Sequence, residues 1–503
     1  MIDLTLAQIA EIVGGQLTDI SAEDADRTHV TGTVEFDSRA ITPGGLFLAL
    51  PGARVDGHDH AGAAVAAGAV AVLAARPVGV PAIVVTPAPG DVTASVLEHD
   101  ADGSGAAVLA ALAKLAAAVA ERLVAGGLTI IGVTGSSGKT STKDLLAAVL
   151  TPLGAVVAPP GSFNNELGHP WTVLRATENT DYLILEMSAR HPGNIAALAA
   201  IAPPQIAVVL NVGTAHLGEF GSRQAIADTK AELPQAVPAS GVVILNVDDA
   251  AVAAMAALTR ARVVRVSRSE HTDVWADGVS LDDLARPRFV LHTPTESVDI
   301  ALAVHGDHQV SNALCAAAVA LECGATGAQV AAALAGAGPV SAHRMAVGTR
   351  SDGVTVINDA YNANPDSMRA GLAALAWMAR NGTDGDSNVP VRRRSFAVLG
   401  EMGELGDDAI SEHDRIGRLA VRLDVSRLVV VGTGRAMSAM RNGAIMEGSW
   451  GAEATQVPDV ESALALLRAE LRAGDVVLVK ASKSAGLAAL AVTLAVDEGG
   501  RAP

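Results

Sequence analysis

Short apolar runs alternate with longer segments of helical periodicity through the middle of the chain. The runs at 128–133, 182–185 and 206–210 are rich in Val, Ile and Leu. Apolar strands that alternate with helices are typical of a parallel sheet covered by helices, because parallel neighbours need a crossover connection. The pattern therefore predicts such a sheet here, followed by helices at 313–321 and 328–334.

A second region of the same pattern begins after residue 350. Apolar runs at 354–357, 396–399, 428–431 and 476–479 again alternate with helical segments. This alternation predicts a second doubly wound domain, a fold in which ligands bind at the carboxyl ends of the strands. The polar stretch 381–390 predicts a loop.

Two breaks divide this pattern into three domains. Residues 91–105 are rich in Asp and Gly, and residues 336–339 form the expected linker. Short apolar runs between turn signals predict a small α/β domain before the first break, and a length of 503 residues suits three domains. We therefore expect an α/β protein with a small N-terminal domain (1–104), a central domain with a mostly parallel sheet (105–338) and a C-terminal Rossmann-like domain (339–503).

Composition narrows the classes of function. A net charge of −18 opposes binding to nucleic acid, so an acidic ligand would need local basic residues. Apolar runs end at Arg76, at Lys114 and at residues 203–204, before they reach the roughly 20 residues that a membrane span needs. The N-terminal sequence lacks the basic start and apolar core of a signal peptide. We expect a cytoplasmic monomer that neither inserts into membranes nor binds nucleic acid.

The strongest chemical signal is a glycine-rich turn between an apolar strand and a helix that opens at Lys139. Backbone N–H groups of such a turn point at anionic oxygens, Lys139 brings charge to the terminal phosphates, and Thr140 can ligate Mg²⁺. The turn is shorter than the common G-x-x-x-x-G-K-[ST] loop, because Val133 stands where the first glycine would be. An ordinary glycine-rich turn is the alternative. The predicted ATP-phosphate residues are Thr134, Gly135, Ser136, Ser137, Gly138, Lys139, Thr140 and Ser141.

Two polar residues follow the next strands along the chain. Glu186 ends the apolar run that starts at residue 182, and His216 lies in a glycine-containing segment after the run at 206–210. Carboxyl ends of parallel strands share one edge of the sheet, so both residues are expected to face the glycine-rich turn. One carboxylate and one imidazole could hold a second Mg²⁺; each alone is better explained as a capping or buried polar residue, and the metal site depends on their shared edge. We predict a metal site here.

Taken together, these segments resemble the Mur ligase family, and the resemblance covers essentially the whole chain. It rests on the short phosphate loop, the Glu186 strand and the segments at 211–216 and 230–232. Three further segments are most similar to the family member that joins D-alanyl-D-alanine to UDP-N-acetylmuramoyl-tripeptide. They lie at 162–168, 358–368 and 399–406.

The resemblance implies a role for each domain. The N-terminal domain would bind the UDP end of the substrate, the central domain would bind ATP, and the C-terminal domain would close over both. Ser38 and Arg39 lie in a segment similar to the family's UDP-binding segment, so they are expected to touch uridine or diphosphate; a plain polar turn is the alternative. The expected substrate contacts of the central domain are Asn164, Asn165, Ser188 and Arg190.

Lys230 is similar to a lysine that many family members carry as a carbamate, which would convert a cation into an anionic metal ligand. An exposed helical lysine paired with Glu232 is the alternative. The expected ligands of two Mg²⁺ ions are Thr140, Glu186, His216 and carbamylated Lys230.

The resemblance also implies contacts to the nucleoside. Residues 306–312 are similar to a family segment whose last asparagine contacts adenine, so Asn312 is expected to make that contact. Gln309 replaces the usual first asparagine of the segment. A helix N-terminus capped by Ser311 is the alternative. The contacts implied for the C-terminal domain are Arg344 at a phosphate, Asp359 at the ribose hydroxyls and Asn362 at a polar group of the nucleotide.

The implied reaction is ATP-dependent amide ligation. A carboxylate is a poor electrophile, so ATP would first convert the tripeptide carboxylate to an acyl phosphate, which the amine of D-alanyl-D-alanine then attacks. The residues expected to act in catalysis are Lys139, Glu186, His216 and Lys230. Two alternatives stay open: another amide ligase of the superfamily, such as the tripeptide-forming Mur ligase or a folylpolyglutamate synthase, and a P-loop NTPase that does not ligate.

Overall fold

A computed structural model describes the chain at residues 1–52, 55–87, 100, 102–214, 217–383, 390–448 and 453–496. Sheets flanked by helices occur in three successive parts of the chain, so the predicted α/β class with three domains is confirmed. The exact boundaries after residues 104 and 338 stay predictions. Among the described helices, none is long and apolar enough to cross a bilayer.

The N-terminal part forms a five-stranded sheet. Its elements are β1 (Leu4–Thr5), α1 (Leu6–Val13), β2 (Gln16–Thr18), α2 (Ala22–Arg27), β3 (His29–Val30), β4 (Val34–Glu35), β5 (Gly45–Leu48), α3 (Ala61–Ala66), β6 (Ala69–Ala74) and β7 (Ala82–Val84). The strand order is β2-β7-β6-β5-β4, with β2 antiparallel to β7 and the other neighbours parallel. Strands β1 and β3 form a separate antiparallel pair.

The central part begins with a long helix and contains the largest sheet. Its elements are α4 (Ser104–Ala125), β8 (Thr129–Thr134), α5 (Lys139–Leu150), β9 (Val156–Val157), α6 (Gly168–Val173), β10 (Tyr182–Glu186), α7 (Asn194–Ile201), β11 (Ile206–Val209), α8 (Leu217–Phe220), α9 (Arg223–Ala236), β12 (Val242–Asn246), α10 (Ala250–Ala254), β13 (Arg262–Ser267), β14 (Val274–Leu281), β15 (Pro287–His292), β16 (Ser297–Ala301), α11 (Gln309–Glu322) and α12 (Gly327–Gly336). Helix α4 packs against α1 and α6, so one apolar core continues from the N-terminal helices into the central sheet.

The nine strands of the central sheet have the order β16-β15-β14-β13-β12-β11-β8-β10-β9. They are parallel from β9 to β14, and an antiparallel extension follows through β15 and β16. Strand β8 lies between β10 and β11, so the residues that follow these three strands meet at one edge. The turn that follows β8 therefore lies among the ends of its neighbours.

The C-terminal part forms a six-stranded sheet and a small separate strand pair. Its elements are β17 (Ala346–Thr349), β18 (Thr355–Asn358), α13 (Pro365–Arg380), β19 (Gly382–Thr383), β20 (Pro390–Val391), β21 (Ser395–Leu399), α14 (Ala409–Arg422), β22 (Arg427–Val431), α15 (Arg435–Glu447), β23 (Ala454–Val457), α16 (Val460–Glu470), β24 (Val476–Lys480) and α17 (Leu487–Val496). The order is β17-β18-β24-β21-β22-β23, and every neighbour is parallel except β17.

One expectation from the sequence needs correction, and one feature of the central sheet was not expected. The stretch 381–390 is not a loop throughout, because β19 and β20 pair at its ends; residues 384–389 lie outside the described part. The antiparallel strands β14 to β16 were not predicted. Their exposed positions break the apolar runs that identify buried strands, and an alternating pattern is the weaker signal.

Candidate active site

The predicted phosphate loop connects β8 to α5. Gly138 adopts a left-handed φ of +85°, and a Cβ atom there would lie 2.7 Å from Asn312 Oδ1, so the turn requires glycine at this position. Helix α5 begins at Lys139, as predicted. Among the described residues, no side chain caps this helix start, which leaves N–H groups available to an anion.

Asn211, just after β11, fixes the shape of the loop. Ser137 N donates to Asn211 Oδ1 at 2.9 Å, and Asn211 Nδ2 donates to Ser137 O at 3.1 Å. Ser136 N donates to Asn211 O at 3.1 Å. The sequence placed Asn211 in a family segment but gave it no role; its position after the neighbouring strand was the available signal.

Lys139 is half-buried among charged and polar groups. Its Nζ donates to Gly135 O at 2.5 Å. Burial lowers the pKa of Lys139 to about 8; the nearby Glu186 carboxylate opposes this shift, and the charge of Arg344 adds to it. A phosphate at the loop would favour the charged ammonium.

Glu186 ends β10 beside the loop and is 1% exposed. Thr140 Oγ1 donates to Glu186 Oε2 at 3.1 Å, whereas Oε1 has no hydrogen-bond partner among the described residues. Burial raises the pKa of this carboxyl group, and nearby positive charges, Lys143 foremost, oppose the shift. An unpartnered buried carboxylate oxygen needs a cation or a donor, because its desolvation is otherwise uncompensated.

Lys230 is buried on α9, so the alternative of an exposed lysine is wrong. Glu232 instead accepts bonds from Gly193 N at 2.6 Å and Ala196 N at 2.9 Å. Burial, together with the charge of Lys139, lowers the pKa of Lys230 well below its usual value.

The predicted metal ligands are only partly described. His216 lies outside the described residues. Across the part of the chain that is described, no group of three or more His, Cys, Asp or Glu side chains is arranged to hold a metal ion. The Thr140 hydroxyl and the unpartnered Glu186 oxygen are oxygen donors beside the loop, which is the donor type that Mg²⁺ prefers. These two residues fit a Mg²⁺ ion.

Arg344 comes from the C-terminal part and reaches the loop. Its Nη2 donates to Thr140 Oγ1 at 3.2 Å, and its guanidinium carbon lies 4.0 Å from the ring centroid of Tyr361. Its Nε is buried without a partner among the described residues. The aromatic ring holds the guanidinium plane beside the loop. Tyr361 lies in a family segment of the sequence but was not predicted as a site residue.

Asp359 and Lys480 form a buried ion pair where β18 and β24 end. Lys480 Nζ lies 2.6 Å from Asp359 Oδ2 and also donates to Asn362 O at 3.0 Å. Met345 N donates to the other carboxylate oxygen of Asp359 at 3.1 Å. The ion pair therefore connects the ends of β18 and β24 to Met345, the residue that follows Arg344.

Two cavities lie on either side of the loop. Cavity A has a volume of about 690 Å³ and cavity B about 650 Å³. Five of the described residues line both cavities and form the wall between them: Ser137, Gly138, Ser141, Arg344 and Ser367. The other predicted residues that line cavity A are Ser136, Lys139, Thr140, Asn164, Asn165, Ser188, Arg190 and Asn362, and those that line cavity B are Asn312 and Asp359.

The residues predicted to contact substrate in the central domain come together in cavity A. Ser188 N and Oγ both donate to Asn164 O, at 3.1 and 3.0 Å. Asn165 Oδ1 accepts a bond from Gly168 N at 3.0 Å at the start of α6. Arg190 pairs with Glu404 of the C-terminal part at 2.8 Å. The cavity thus has walls from two domains.

Ser38 and Arg39 lie away from both cavities. Arg39 N donates to Asp37 Oδ1 at 3.0 Å, which is the polar turn named as the alternative. The Arg39 guanidinium lies against the same carboxylate, and these bonds hold the pKa of Asp37 at about 2. The Arg39 side chain is 87% exposed, so it is accessible to a ligand.

Asn312 lies on the first turn of α11. It is buried, and its Nδ2 donates to Gln309 Oε1 at 2.8 Å. Gln309, the departure from the family pattern, therefore orients the residue expected at adenine. His308 precedes the helix and the structure shows no side-chain cap there, so the alternative of a Ser311 cap is wrong.

Cavity B also contains charged residues that the sequence did not single out. Arg268 forms two bonds to the Asp307 carboxylate, at 2.6 and 2.8 Å. Asp366, at the start of α13, accepts a bond from Thr214 N at 3.3 Å. These residues come from separate elements, and no local spacing joins them. Asp307 and Asp366 lie in the family segments 306–312 and 358–368, but neither was predicted as a site residue.

The fold and the site define an α/β protein in which a strand-to-helix loop has the geometry of an anion-binding site, with residues of another domain beside it. Family models match three successive parts of the chain: "Mur ligase family, catalytic domain" at 31–119, "Mur ligase middle domain" at 133–320 and "Mur ligase, glutamate ligase domain" at 343–483. The chain belongs to the Mur ligase family.

Comparison with named proteins shows which members of the family this chain is similar to. The chain is 74% identical to a UDP-N-acetylmuramoyl-tripeptide–D-alanyl-D-alanine ligase of Mycobacterium tuberculosis, over 99% of both chains. It is 33% identical to the Escherichia coli protein of the same name, over 86% of both. A crystal structure of MurF from Acinetobacter baumannii matches with a TM-score of 0.79 at 29% identity, covering 98% of this chain and 99% of that one. MurF from Thermotoga maritima in complex with ADP matches with a TM-score of 0.72 at 26% identity, over 93% and 97%.

Proposed function

We propose that this protein is an ATP-dependent, ADP-forming ligase that joins D-alanyl-D-alanine to UDP-N-acetylmuramoyl-tripeptide, giving the pentapeptide precursor of peptidoglycan. The observation that carries the proposal is the pair of cavities separated by the phosphate loop and Arg344. A nucleotide in cavity B would direct its terminal phosphate at an acceptor in cavity A. The name shared by the 74% and 33% identical relatives supports the choice of substrates.

Phosphoryl transfer to the tripeptide carboxylate gathers negative charge on the transferred group. Lys139 and Arg344 line cavity A from opposite domains, and Lys139 also lies at the start of α5. Fixed positive charges and N–H groups stabilise the transition state because they need no reorientation when charge develops. The Nε of Arg344, which has no hydrogen-bond partner in the described part of the chain, could donate one such bond.

Two Mg²⁺ ions are part of the proposal. When bound, they would neutralise phosphate charge and align the reacting oxygens. Thr140 and Glu186 would ligate one ion, and His216 with carbamylated Lys230 would complete the second site. Carbamylation requires a neutral amine, and the buried Lys230 has a pKa well below that of an exposed lysine.

The second step needs a dry site, because an acyl phosphate hydrolyses in water. The C-terminal residues that line cavity A include Tyr361, Asn362 and Glu404, which face the central residues Asn164 and Arg190. This enclosure would keep water from the acyl phosphate while the amine of D-alanyl-D-alanine attacks its carbonyl carbon. Phosphate then leaves and the amide bond remains.

The UDP end of the substrate would bind the N-terminal domain, where Ser38 and the exposed Arg39 are the proposed contacts. Asp359 would accept bonds from the ribose hydroxyls in cavity B, and Asn312 would contact adenine. Asn362 lines cavity A, so its proposed bond to a polar group of the nucleotide would be made from the acceptor side. We further propose a cytoplasmic monomer that acts in cell-wall synthesis, and through it in cell shape and division.

An omission experiment tests this function. Purified protein is given Mg·ATP, UDP-N-acetylmuramoyl-tripeptide and D-alanyl-D-alanine, and each is omitted in turn while phosphate is measured. We expect sustained release only with all three, and a loss of at least about a hundredfold in Lys139→Ala. Release that is indifferent to the dipeptide, or that requires another amine, would refute the assigned substrates.

A further inference from the structure

Lys143 is a buried lysine that the phosphate chemistry does not use. It lies one turn beyond Lys139 on α5, is 2% exposed, and is absent from the walls of both cavities. Its Nζ contacts Pro159 O at 2.7 Å, Asp144 Oδ1 at 2.7 Å and Ser341 Oγ at 3.2 Å. The ammonium group therefore makes two hydrogen bonds and one ion pair, with partners on three different segments of the chain.

Ser341 belongs to the connection between α12 and β17. Its N–H donates to Asp144 Oδ2 and its hydroxyl to Asp144 Oδ1, both at 3.1 Å. With the bond from Lys143, the residue is held to α5 by three hydrogen bonds that each involve a charged group. Such bonds are stronger than those between neutral partners.

The fixed position of Ser341 restricts Arg344, because three residues span at most about 11 Å. The residues on either side of Arg344 have left-handed φ angles, +59° at His343 and +48° at Met345. Asp359 holds Met345 N from the other side. Arg344 thus lies on a short, strained segment with one end attached to α5 and the other to the C-terminal sheet.

We propose that Lys143 and Asp144 form a hinge anchor: two positioning residues that fix Ser341 to the phosphate-loop helix and so deliver Arg344 to the nucleotide. Neither anchor residue touches the substrate. The anchor also reaches Pro159, which leads into the segment of Asn164 and Asn165, so one buried ammonium links the helix, the substrate segment and the domain connection. The inference rests on the proposed function only in that Arg344 acts on ATP.

A double-mutant cycle tests the anchor. Affinity for the ATP analogue AMP-PNP is measured for wild type, Ser341→Ala, Arg344→Ala and the double variant, without any acceptor. We expect about a tenfold loss for Ser341→Ala, the size of one charge-assisted hydrogen bond, and less than a twofold further loss when Arg344→Ala is already present. Equal losses in both backgrounds would overturn the proposal, because a merely structural role is independent of Arg344.

Matched variants keep the test decisive. Ser341→Thr retains the hydroxyl and should keep wild-type affinity, whereas Asp144→Asn should follow Ser341→Ala. Thr151→Ala removes an exposed hydroxyl bond at the far end of the same helix and should change nothing. Lys143→Met removes the ammonium of the anchor. If this variant fails to fold, the double-mutant cycle of Ser341→Ala and Arg344→Ala still tests the proposal. Wild type that binds AMP-PNP but does not ligate would refute the proposed function and leave the binding cycle valid.

Discussion

At the scale of single residues, the site depends on charges whose protonation is set by burial. Burial lowers the pKa of Lys139 to about 8 in the free protein, because it disfavours the ammonium. Bound phosphate favours the ammonium and raises its pKa again. The free protein therefore lacks a proton above pH 8 that the complex retains, and nucleotide affinity must fall as pH rises through that range.

Proton uptake on nucleotide binding follows directly. At about pH 9 we expect binding of AMP-PNP to take up close to one proton, and at about pH 6.5 none, because Lys139 is then already charged. Calorimetry in buffers of different ionisation enthalpy measures this number. Lys139→Arg keeps its charge at both values and should show no uptake; equal uptake by the variant and the wild type at pH 9 would contradict the assignment.

The buried pair Asp359–Lys480 makes a second prediction for single residues. Asp359→Asn leaves Lys480 buried without its counter-ion, which should destabilise the free protein by about 3 kcal/mol. Lys480→Met, which removes both the cation and its need for a partner, should largely restore stability in the double variant. Thermal unfolding without nucleotide measures this. A double variant no more stable than Asp359→Asn alone would show that the charge pairing is not the cause.

At the scale of elements, the start of α5 joins local sequence to function. Gly138 and Gly193 both precede helices of the central part with left-handed φ, +85° and +87°. A Cβ at Gly138 meets Asn312, whereas a Cβ at Gly193 has no atom within 4 Å among the described residues. The two positions therefore share backbone strain and differ in surroundings.

Alanine at these two positions should separate the two effects. Each substitution costs about 1–2 kcal/mol of backbone strain, so both variants should lose similar stability. Only Gly138→Ala displaces the Asn312 side chain, and it should weaken AMP-PNP binding by at least about tenfold while Gly193→Ala binds normally. Equal binding by both variants would mean that the turn tolerates a side chain beside the nucleotide.

Elements that depend on neighbouring residues could be predicted from the sequence, whereas contacts between distant residues could not. The strand before the loop and the helix start at Lys139 could be predicted, because an apolar run, a glycine and a Lys-Thr pair are adjacent in sequence. The alternation of strands and helices also predicted a parallel sheet. The contact of Arg268 with Asp307 and the contacts of Lys143 could not be predicted from the sequence, because the partners are far apart in the chain. Gln309 appeared as a departure from a motif, and only the structure shows that it orients Asn312.

At the scale of the whole molecule, the phosphate loop receives groups from two domains. Arg344 Nη2 reaches Thr140, Asn364 Nδ2 reaches Ser136 O at 3.4 Å, and Asp366 accepts a bond from Thr214 N. Each bond crosses from the C-terminal part to the central part. The C-terminal part therefore supplies part of the site, an arrangement that suits an enzyme that must keep water from an acyl phosphate.

Transfer of oxygen from acceptor to phosphate tests the central claim most directly. UDP-N-acetylmuramoyl-tripeptide with ¹⁸O at both oxygens of its terminal carboxylate is incubated with the protein, Mg·ATP and D-alanyl-D-alanine. The masses of the phosphate and peptide products are then measured by mass spectrometry. Ligation through an acyl phosphate predicts one ¹⁸O in each phosphate released and one retained in the new amide of the pentapeptide. Phosphate without ¹⁸O would mean that water attacks ATP, and would contradict the ligase in favour of an NTPase.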